Sequence, residues 1–240
     1  MPDNVSLMLA IDTSTDIASL ALAKDNTVLA ELTWRSYQNH TIQLTPNIDC
    51  ILKLARVTPK NLTAIAIAKG PGSFNGLRVG ISVAKGLAFS LEIPIIGVSS
   101  LEVEAYQYAN VRLPVCPVFS AGRDEVVVAV YGKHDDSIWQ EIKPAHIVNV
   151  TDLAAEIHET TLFCGEYLPQ ITSKLKELLG GKAVIASPVT DLRRAGFLVE
   201  LAMKQLLSGN ADNAATLSPI YLRRPPITGA KPRLPQHPHH

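Results

Sequence analysis

The first residues that could do chemistry follow the opening apolar run of the chain, where Asp12, Thr13 and Ser14 begin a polar turn. The hydroxyls and backbone amides of such a turn can contact a phosphate, and its carboxylate can help to hold a metal ion. Asp, Ser and Thr also favour ordinary turns, because their side chains hydrogen bond to nearby backbone. From these residues alone an ordinary polar turn is the favoured interpretation, and a vestigial phosphate turn is the alternative.

A second carboxylate is missing from the matching position in the second half of the chain. The apolar pattern of residues 9–22 returns in register at residues 117–130, which indicates two halves built on one plan. Ser120 stands where a working phosphotransferase of this plan needs a carboxylate, and Asp124 lies farther into the turn. Serine does not replace a carboxylate as a metal ligand or base at neutral pH. The sequence therefore predicts an incomplete catalytic cleft.

A glycine-rich loop is the most distinctive segment of the sequence. It lacks Walker A spacing, since Leu77 rather than Lys follows Gly76, and Asn75 stands where a GxGxxG motif has its third Gly. The loop joins a predicted strand to a predicted helix, whose first amides could receive an anion. A tight turn that needs glycine for close backbone packing is the alternative. The loop comprises Gly70, Pro71, Gly72, Ser73, Phe74 and Asn75.

Two predicted helices carry small or apolar residues on more than one side. In the helix after the glycine loop, Gly or Ala recurs at every fourth position from 76 to 88, and such a stripe lets another helix approach closely. Glycine in a helix costs roughly 1 kcal/mol relative to alanine, so the stripe needs a packing reason. We predict contact with another chain, with burial in the same chain as the alternative. The predicted partner interface comprises His40, Leu44, Ile48, Ile51, Leu52, Gly76, Gly80, Val83, Ala84, Leu87 and Ala88.

Familiar metal-binding and nucleophile patterns are absent from the sequence predicted to fold. Its histidines never show HxxxH or HExxH spacing, so no metal site is predicted. The three cysteines form no CxxC pair, which favours reduced, buried thiols over a disulfide framework. Ser73 lacks the GxSxG elbow of a hydrolase. We therefore expect no catalytic residue in this chain.

Charge and hydropathy limit the class of protein further. Lys plus Arg and Asp plus Glu both number 22, whereas a chain that grips tRNA alone usually has a basic surplus. If RNA is involved, a partner must make much of the contact. The N-terminus does not resemble a signal peptide, and no apolar stretch is long enough to cross a bilayer. A cytoplasmic protein without membrane contact is expected.

The order of predicted elements indicates an α/β protein of two lobes. In the first lobe, residues 1–110, three antiparallel strands are followed by helix, strand, helix, strand and helix. The second lobe, residues 111–222, begins with a similar group of strands. It is predicted to continue with helices at 151–159, 166–179 and 191–208, with a strand near 183–186 between the last two. Residues 223–240 are rich in proline and histidine, have little to bury, and are predicted to form a flexible tail.

The sequence resembles the TsaB (YeaZ) family. The resemblance rests on the opening LAIDTST, on GPGSFNGLRVG across the glycine loop and on the late segment PIYLR, which occur in family order. It covers nearly the whole chain and is strong only in the first lobe. Asn75 stands where the family usually has Thr, and residues 120–123 replace a common Asp-Ala-Arg motif.

The resemblance implies a fold and a role. It implies a two-lobed actin-like (ASKHA, ribonuclease H-like) fold with an internal duplication, and a non-catalytic subunit that dimerises with a TsaD-type transferase. That complex, joined by a TsaE-type ATPase, forms N6-threonylcarbamoyladenosine at position 37 of tRNAs that read ANN codons. Contact with tRNA is expected only through the complex. No intrinsic cofactor is expected, and ATP or ADP is expected only at the partner interface.

Without the transferase, the same apolar interface should favour a homodimer. Two other functions fit the same plan of elements. An ATP-dependent small-molecule kinase of the actin-like superfamily would bind and hydrolyse nucleotide, but Ser120 and the lack of a glycine pair near Glu166 argue against it. A metallopeptidase would bind a metal ion, and the absent histidine pair argues against that. The scaffold is the preferred interpretation and the kinase is the alternative.

Overall fold

The structure is a computed structural model that describes residues 7–133, 138–190 and 192–223. Within these residues, two five-stranded sheets are covered by α-helices. The strands are β1 Leu7–Asp12, β2 Ile17–Lys24, β3 Thr27–Arg35, β4 Ala64–Ala68, β5 Ile95–Val98, β6 Val115–Gly122, β7 Glu125–Lys133, β8 Trp139–Asn149, β9 Thr161–Cys164 and β10 Ala183–Ile185. The helices are α1 His40–Leu54, α2 Phe74–Leu91, α3 Ser100–Tyr106, α4 Val150–Glu156, α5 Leu168–Leu179 and α6 Ala195–Leu207.

The first sheet has the order β3-β2-β1-β4-β5. β1 is antiparallel to β2 and parallel to β4, and β4 is parallel to β5. Every residue of β1, β4 and β5 is buried, so these strands read as continuous apolar runs rather than alternating ones. This is the pattern of strands whose two faces are both covered. Because β1 is the middle strand, the turn that follows it lies at the centre of the sheet, where the parallel strands have their carboxyl ends.

The second sheet repeats the plan of the first. Read from its antiparallel end, its order is β8-β7-β6-β9-β10, with β6 antiparallel to β7 and parallel to β9. The predicted two-lobed α/β fold with an internal duplication is therefore confirmed. β9 was not predicted, because a strand of four residues after a polar turn offers too short a pattern to read.

The last helix belongs to the first sheet, which corrects the predicted second lobe. α6 packs on β1, β2, β4 and β5, and its Leu198 and Val199 share a core cluster with Met8 and Ala10. In turn α3, which belongs to the first lobe in sequence, packs on the second sheet, and its Leu101 lies in a core cluster with residues of that sheet. The reason is that α1 and α2 cover only one face of the first sheet, and the apolar second face must also be buried.

The segment after α6 also returns to the first lobe. The amide of Asp212 donates to the Ile95 carbonyl at 2.9 Å, and the amide of Ile220 donates to the Lys69 carbonyl at 2.7 Å. Leu217 is buried in the core between α2 and the sheet. The second lobe as seen in the structure therefore ends before α6. Of the predicted tail, residues 224–240 lie outside the described residues.

Candidate functional site

The turn after β1 is a buried and internally bonded structure. Asp12, Thr13 and Ser14 are all at most 1% exposed. The Ser14 amide and hydroxyl both donate to Asp12 Oδ1, at 2.9 and 2.7 Å. The Thr13 hydroxyl donates to the Gly76 carbonyl at 2.7 Å. The hydroxyls of Thr13 and Ser14 and the amide of Ser14, which could have contacted a phosphate, are therefore already used within the chain.

The Asp12 carboxylate is occupied by a buried arginine from the far end of the sequence. Arg193, just before α6, is 1% exposed, and its Nε and Nη2 donate to the two carboxylate oxygens of Asp12. Nη2 also donates to the hydroxyls of Ser14, at 3.1 Å, and Thr15, at 2.9 Å. Such two-pronged binding matches the planar guanidinium to a carboxylate.

Arg193 also reaches the second lobe and α3. Its Nη1 donates to Glu166 Oε1 at 3.3 Å and lies 3.7 Å from Glu104 Oε2. Burial alone would lower the pKa of Arg193, but the charges of Asp12 and Glu166 outweigh it and raise the pKa. The guanidinium is therefore a permanent cation among three carboxylates. It joins the two lobes at the carboxylate that ends β1.

The glycine loop is fitted tightly against the Asp12 turn. A Cβ at Gly72 would lie 2.0 Å from the Ser14 carbonyl oxygen, and a Cβ at Gly76 would lie 2.2 Å from the Thr13 carbonyl oxygen. The amide of Ser73 donates to the Ser14 carbonyl at 2.6 Å, and the Ser73 hydroxyl caps α2 by accepting from the Gly76 amide. Of the two interpretations of this loop, close backbone packing is the one that these contacts support.

The small-residue stripe faces the interior of its own chain, which corrects the prediction for its members. A Cβ at Gly80 would lie 2.2 Å from the Thr13 hydroxyl oxygen, and Ala84 and Ala88 lie in the core beneath the first sheet. The reason is that α1 and α2 turn their smooth and apolar faces towards the sheet that they must cover. The predicted interface residues found buried are His40, Leu44, Ile48, Ile51, Leu52, Gly76, Gly80, Ala84 and Ala88.

Other apolar side chains of the same two helices do face outwards. Ile42 and Leu54 on α1 are each 70% exposed, and Phe89 on α2 is 83% exposed. Val83 and Leu87, both predicted interface residues, are only partly buried. A partner surface on α1 and α2 thus stays a prediction, with different residues at its centre.

A polar cavity lies beside the start of both helices. It has a volume of about 540 Å³ and is lined by Asp16, His40, Ser73 and Asn75, together with Tyr37 and Gln38. Burial lowers the pKa of His40, although the charge of Asp16 opposes this shift. The imidazole is therefore mainly neutral at pH 7 and suits hydrogen bonding better than charge pairing.

The cleft between the two lobes has no second carboxylate at the position of Ser120. Ser120 is exposed, and its hydroxyl accepts a hydrogen bond from the Gly122 amide at 3.2 Å. The cleft has a volume of about 400 Å³, and Thr15, Ser73 and Glu166 also line it. Among the described residues, no group of three His, Cys, Asp or Glu side chains is arranged to hold a metal ion.

Sequence reasoning missed Arg193, Glu104 and Glu166 as members of this site. Arg193 follows a polar stretch and precedes an apolar helix, where an arginine is ordinarily solvated. No local signal separates it from its neighbour Arg194, which is exposed and pairs with Glu31. Only the packing of α6 onto the first sheet brings Arg193 to Asp12.

Comparisons with known proteins place the chain in a family. Residues 28–187 match the family model of TsaD, tRNA N6-adenosine threonylcarbamoyltransferase. The tRNA threonylcarbamoyladenosine biosynthesis protein TsaB of Bacillus subtilis (strain 168) is 32% identical over 219 residues, which are 90% of this chain and 93% of that protein. The protein of the same name from Escherichia coli (strain K12) is 39% identical over 136 residues, 55% of this chain and 58% of that protein.

The fold agrees with that of solved structures. YeaZ from Pseudomonas aeruginosa superposes with a TM-score of 0.76 and 26% identity, over 90% of this chain and all of that one. The fold is the two-lobed actin-like α/β fold. In the part of the chain that the structure describes, no helix has the length and apolarity needed to cross a membrane. Because a relative at 32% identity is matched almost end to end, this chain belongs to the TsaB family.

Proposed function

We propose that this chain is a non-catalytic, activating subunit of the complex that forms N6-threonylcarbamoyladenosine at position 37 of tRNAs reading ANN codons. The names of its relatives, which are tRNA threonylcarbamoyladenosine biosynthesis proteins, support the pathway. In this proposal the chain dimerises with a TsaD-type transferase and does no chemistry itself.

The observation that carries the non-catalytic role is the ion pair between Arg193 and Asp12. The carboxylate at the end of β1 binds a guanidinium that is buried and permanently charged. A divalent cation would have to displace this guanidinium, and separating the guanidinium from three carboxylates costs free energy. Ser120 in the other lobe offers no replacement ligand. Binding and hydrolysis of ATP by the chain alone are therefore not expected.

The outward faces of α1 and α2 supply the proposed contact with the transferase. Ile42, Leu54 and Phe89 are exposed apolar side chains on one pair of adjacent helices. The match to the TsaD family model supports a related fold in the transferase, so two similar surfaces could pair across a pseudo-two-fold axis. The same surface would form a homodimer when the transferase is absent.

The other components of the proposed complex contact this chain less directly. A TsaE-type ATPase joins the pair, and ATP or ADP binds at the interface beside the polar cavity that contains His40 and Ser73. The equal numbers of acidic and basic residues support indirect contact with tRNA, since phosphate binding needs a basic surplus.

A reconstituted reaction tests the role of the chain. Formation of the modified adenosine is measured with the transferase, the ATPase, tRNA and precursors, with and without this protein. We expect the product to depend on the chain and the chain alone to hydrolyse no ATP. Full product formation in its absence, together with ATP hydrolysis by the isolated chain, would instead favour the kinase.

Replacing Phe89 with glutamate should weaken the proposed dimer about tenfold or more, because an exposed aromatic side chain is a common centre of interface energy. The dissociation constant with the transferase is measured by calorimetry, and self-association by analytical ultracentrifugation. The control is Leu207→Glu on α6, where the side chain is similarly exposed at 82%. Equal effects of the two substitutions would place the interface elsewhere.

A further inference from the structure

A second cavity lies away from the Asp12 turn, between α3, α6 and the β7–β8 hairpin. Its volume is about 510 Å³. Three aromatic side chains line it, Tyr106 from α3, Trp139 from β8 and Phe197 from α6, together with the acidic Glu102 and Glu200. It is therefore assembled from both halves of the chain and is independent of the proposed interface on α1 and α2.

The aromatic rings hold one another in fixed positions. The ring of Tyr106 meets those of Trp139 and Phe197 edge to face, with centroids 5.6 and 6.2 Å apart. Trp139 stacks on Tyr131 with an interplanar angle of 8°. The Trp139 Nε1 atom is buried and has no hydrogen-bond partner in the described part of the chain. The wall is thus a preformed aromatic surface with at least one unused polar group.

The same wall already binds an ammonium group of the protein. The Lys204 Nζ atom lies 4.6 Å from the centroid of the Tyr106 ring and 3.2 Å from Glu200 Oε1. A cation over an aromatic face is attracted by the negative face of the ring. Lys204 and Glu200 balance each other, so this pair leaves no net charge in the cavity.

The carboxylate of Glu102 is not balanced in this way. No hydrogen bond or ion pair joins it to any residue within 7–133, 138–190 or 192–223. The two lysines that act on it electrostatically have partners of their own, Lys204 with Glu200 and Lys69 with Asp212. Burial raises the pKa of Glu102, and the charge of Glu141 adds to the shift. Partial removal of a carboxylate from water without a partner costs free energy, and a bound cation would offset that cost.

We propose that this cavity binds a small organic cation, with its ammonium group facing Glu102 and its alkyl surface against Trp139 and Tyr106. Aromatic faces beside a carboxylate are the arrangement that recognises alkylammonium groups. An anion would meet the unbalanced carboxylate of Glu102, since Lys204 is paired with Glu200 and Lys133 at the rim is exposed, so that its charge is solvated. A wholly neutral ligand would leave the half-buried Glu102 carboxylate uncompensated.

Choline is the probe, and 3,3-dimethyl-1-butanol, which has the same shape without the charge, is the matched neutral ligand. The chain has two tryptophans, so Trp34→Phe leaves Trp139 as the sole tryptophan reporter. Fluorescence is titrated at constant ionic strength. We expect saturable binding of choline about tenfold tighter than that of the alcohol, which corresponds to roughly 1.4 kcal/mol. Calorimetry on the unsubstituted chain repeats the comparison without relying on the Trp34 variant.

Glu102→Gln in the same background keeps the shape of the side chain and removes its charge. It should weaken choline binding about tenfold and leave the alcohol unaffected. Glu177→Gln, at an exposed position of α5, is the control and should change neither. Equal affinities for the two ligands, unchanged choline binding in Glu102→Gln, or no saturation with choline would each overturn the proposal. None of these outcomes bears on the proposed role in tRNA modification.

Discussion

Replacing Arg193 with methionine should lower the free energy of unfolding by about 3–5 kcal/mol, because it leaves buried carboxylates without their counter-ion. Asp12 and Glu104 are fully buried, and Glu166 is largely buried, so none of the three can recover full hydration. Methionine fills much of the volume of the arginine side chain, so the effect reports mainly the lost charge. Urea unfolding followed by circular dichroism measures it.

Arg194→Met is the matched control for this substitution. Arg194 is the next residue and also pairs with a glutamate, Glu31, but its side chain is 57% exposed. An exposed pair contributes about 0–1 kcal/mol, so this variant should remain close to the unsubstituted protein. If the two variants lost similar stability, the buried cluster would not be the clamp between the lobes that its contacts indicate.

A double substitution separates the ion pair from general damage to the core. Asp12→Asn in the Arg193→Met background removes the most closely paired negative charge, so it should recover part of the lost stability. The measured quantity is the coupling free energy from the four unfolding curves. Additive effects of the two substitutions would show that Asp12 and Arg193 contribute independently.

Replacing Gly76 with alanine should destabilise the protein by about 1–3 kcal/mol, although alanine is the better helix former. Its Cβ would lie 2.2 Å from the Thr13 carbonyl oxygen, a backbone atom in the centre of the first sheet's edge. Helix α2 would have to move away from the Asp12 turn, and the hydrogen bond from the Thr13 hydroxyl to the Gly76 carbonyl would lengthen. Thermal and urea unfolding measure the loss.

Gly86→Ala on the same helix is the control and should have the opposite sign. A Cβ at Gly86 would meet no atom within 4 Å, and the position is exposed. Alanine there should stabilise the protein by up to about 1 kcal/mol through helix propensity alone. A stabilising Gly76→Ala would show that α2 can shift at little cost and that the glycine is not needed for close packing.

These two predictions concern one feature, the closed contact between the Asp12 turn, the glycine loop and Arg193. The Ser73 amide donates to the Ser14 carbonyl, the Thr13 hydroxyl donates to the Gly76 carbonyl, and Arg193 binds the carboxylate of Asp12. A loop that receives phosphate has to keep its amides free. The contact therefore supports the proposed scaffold role over the kinase.

Local sequence patterns were enough to predict most of the elements and the duplication. The order of strands and helices in the first lobe was predicted as the structure shows it, and the repeat between residues 9–22 and 117–130 returns as two sheets of the same strand order. These features depend on the spacing of apolar residues within one element, and that spacing is visible along the chain. The missing carboxylate at Ser120 was also visible in the sequence, whereas an ordinary polar turn and a vestigial phosphate turn both stayed open for Asp12, Thr13 and Ser14.

The direction in which helix faces point was settled only by tertiary packing. By its sequence, the stripe containing Gly80 and Ala84 is equally suited to pack against a partner or against the chain's own sheet. In the structure it packs against Thr13 and the core of the first lobe. In the same way, α6 follows the second lobe in sequence but covers the first sheet, because that sheet has two apolar faces to bury. The packing of α6 on the first sheet brings Arg193 into contact with Asp12, which lies about 180 positions earlier in the sequence. A contact of that range depends on how whole layers stack, and no local spacing records it.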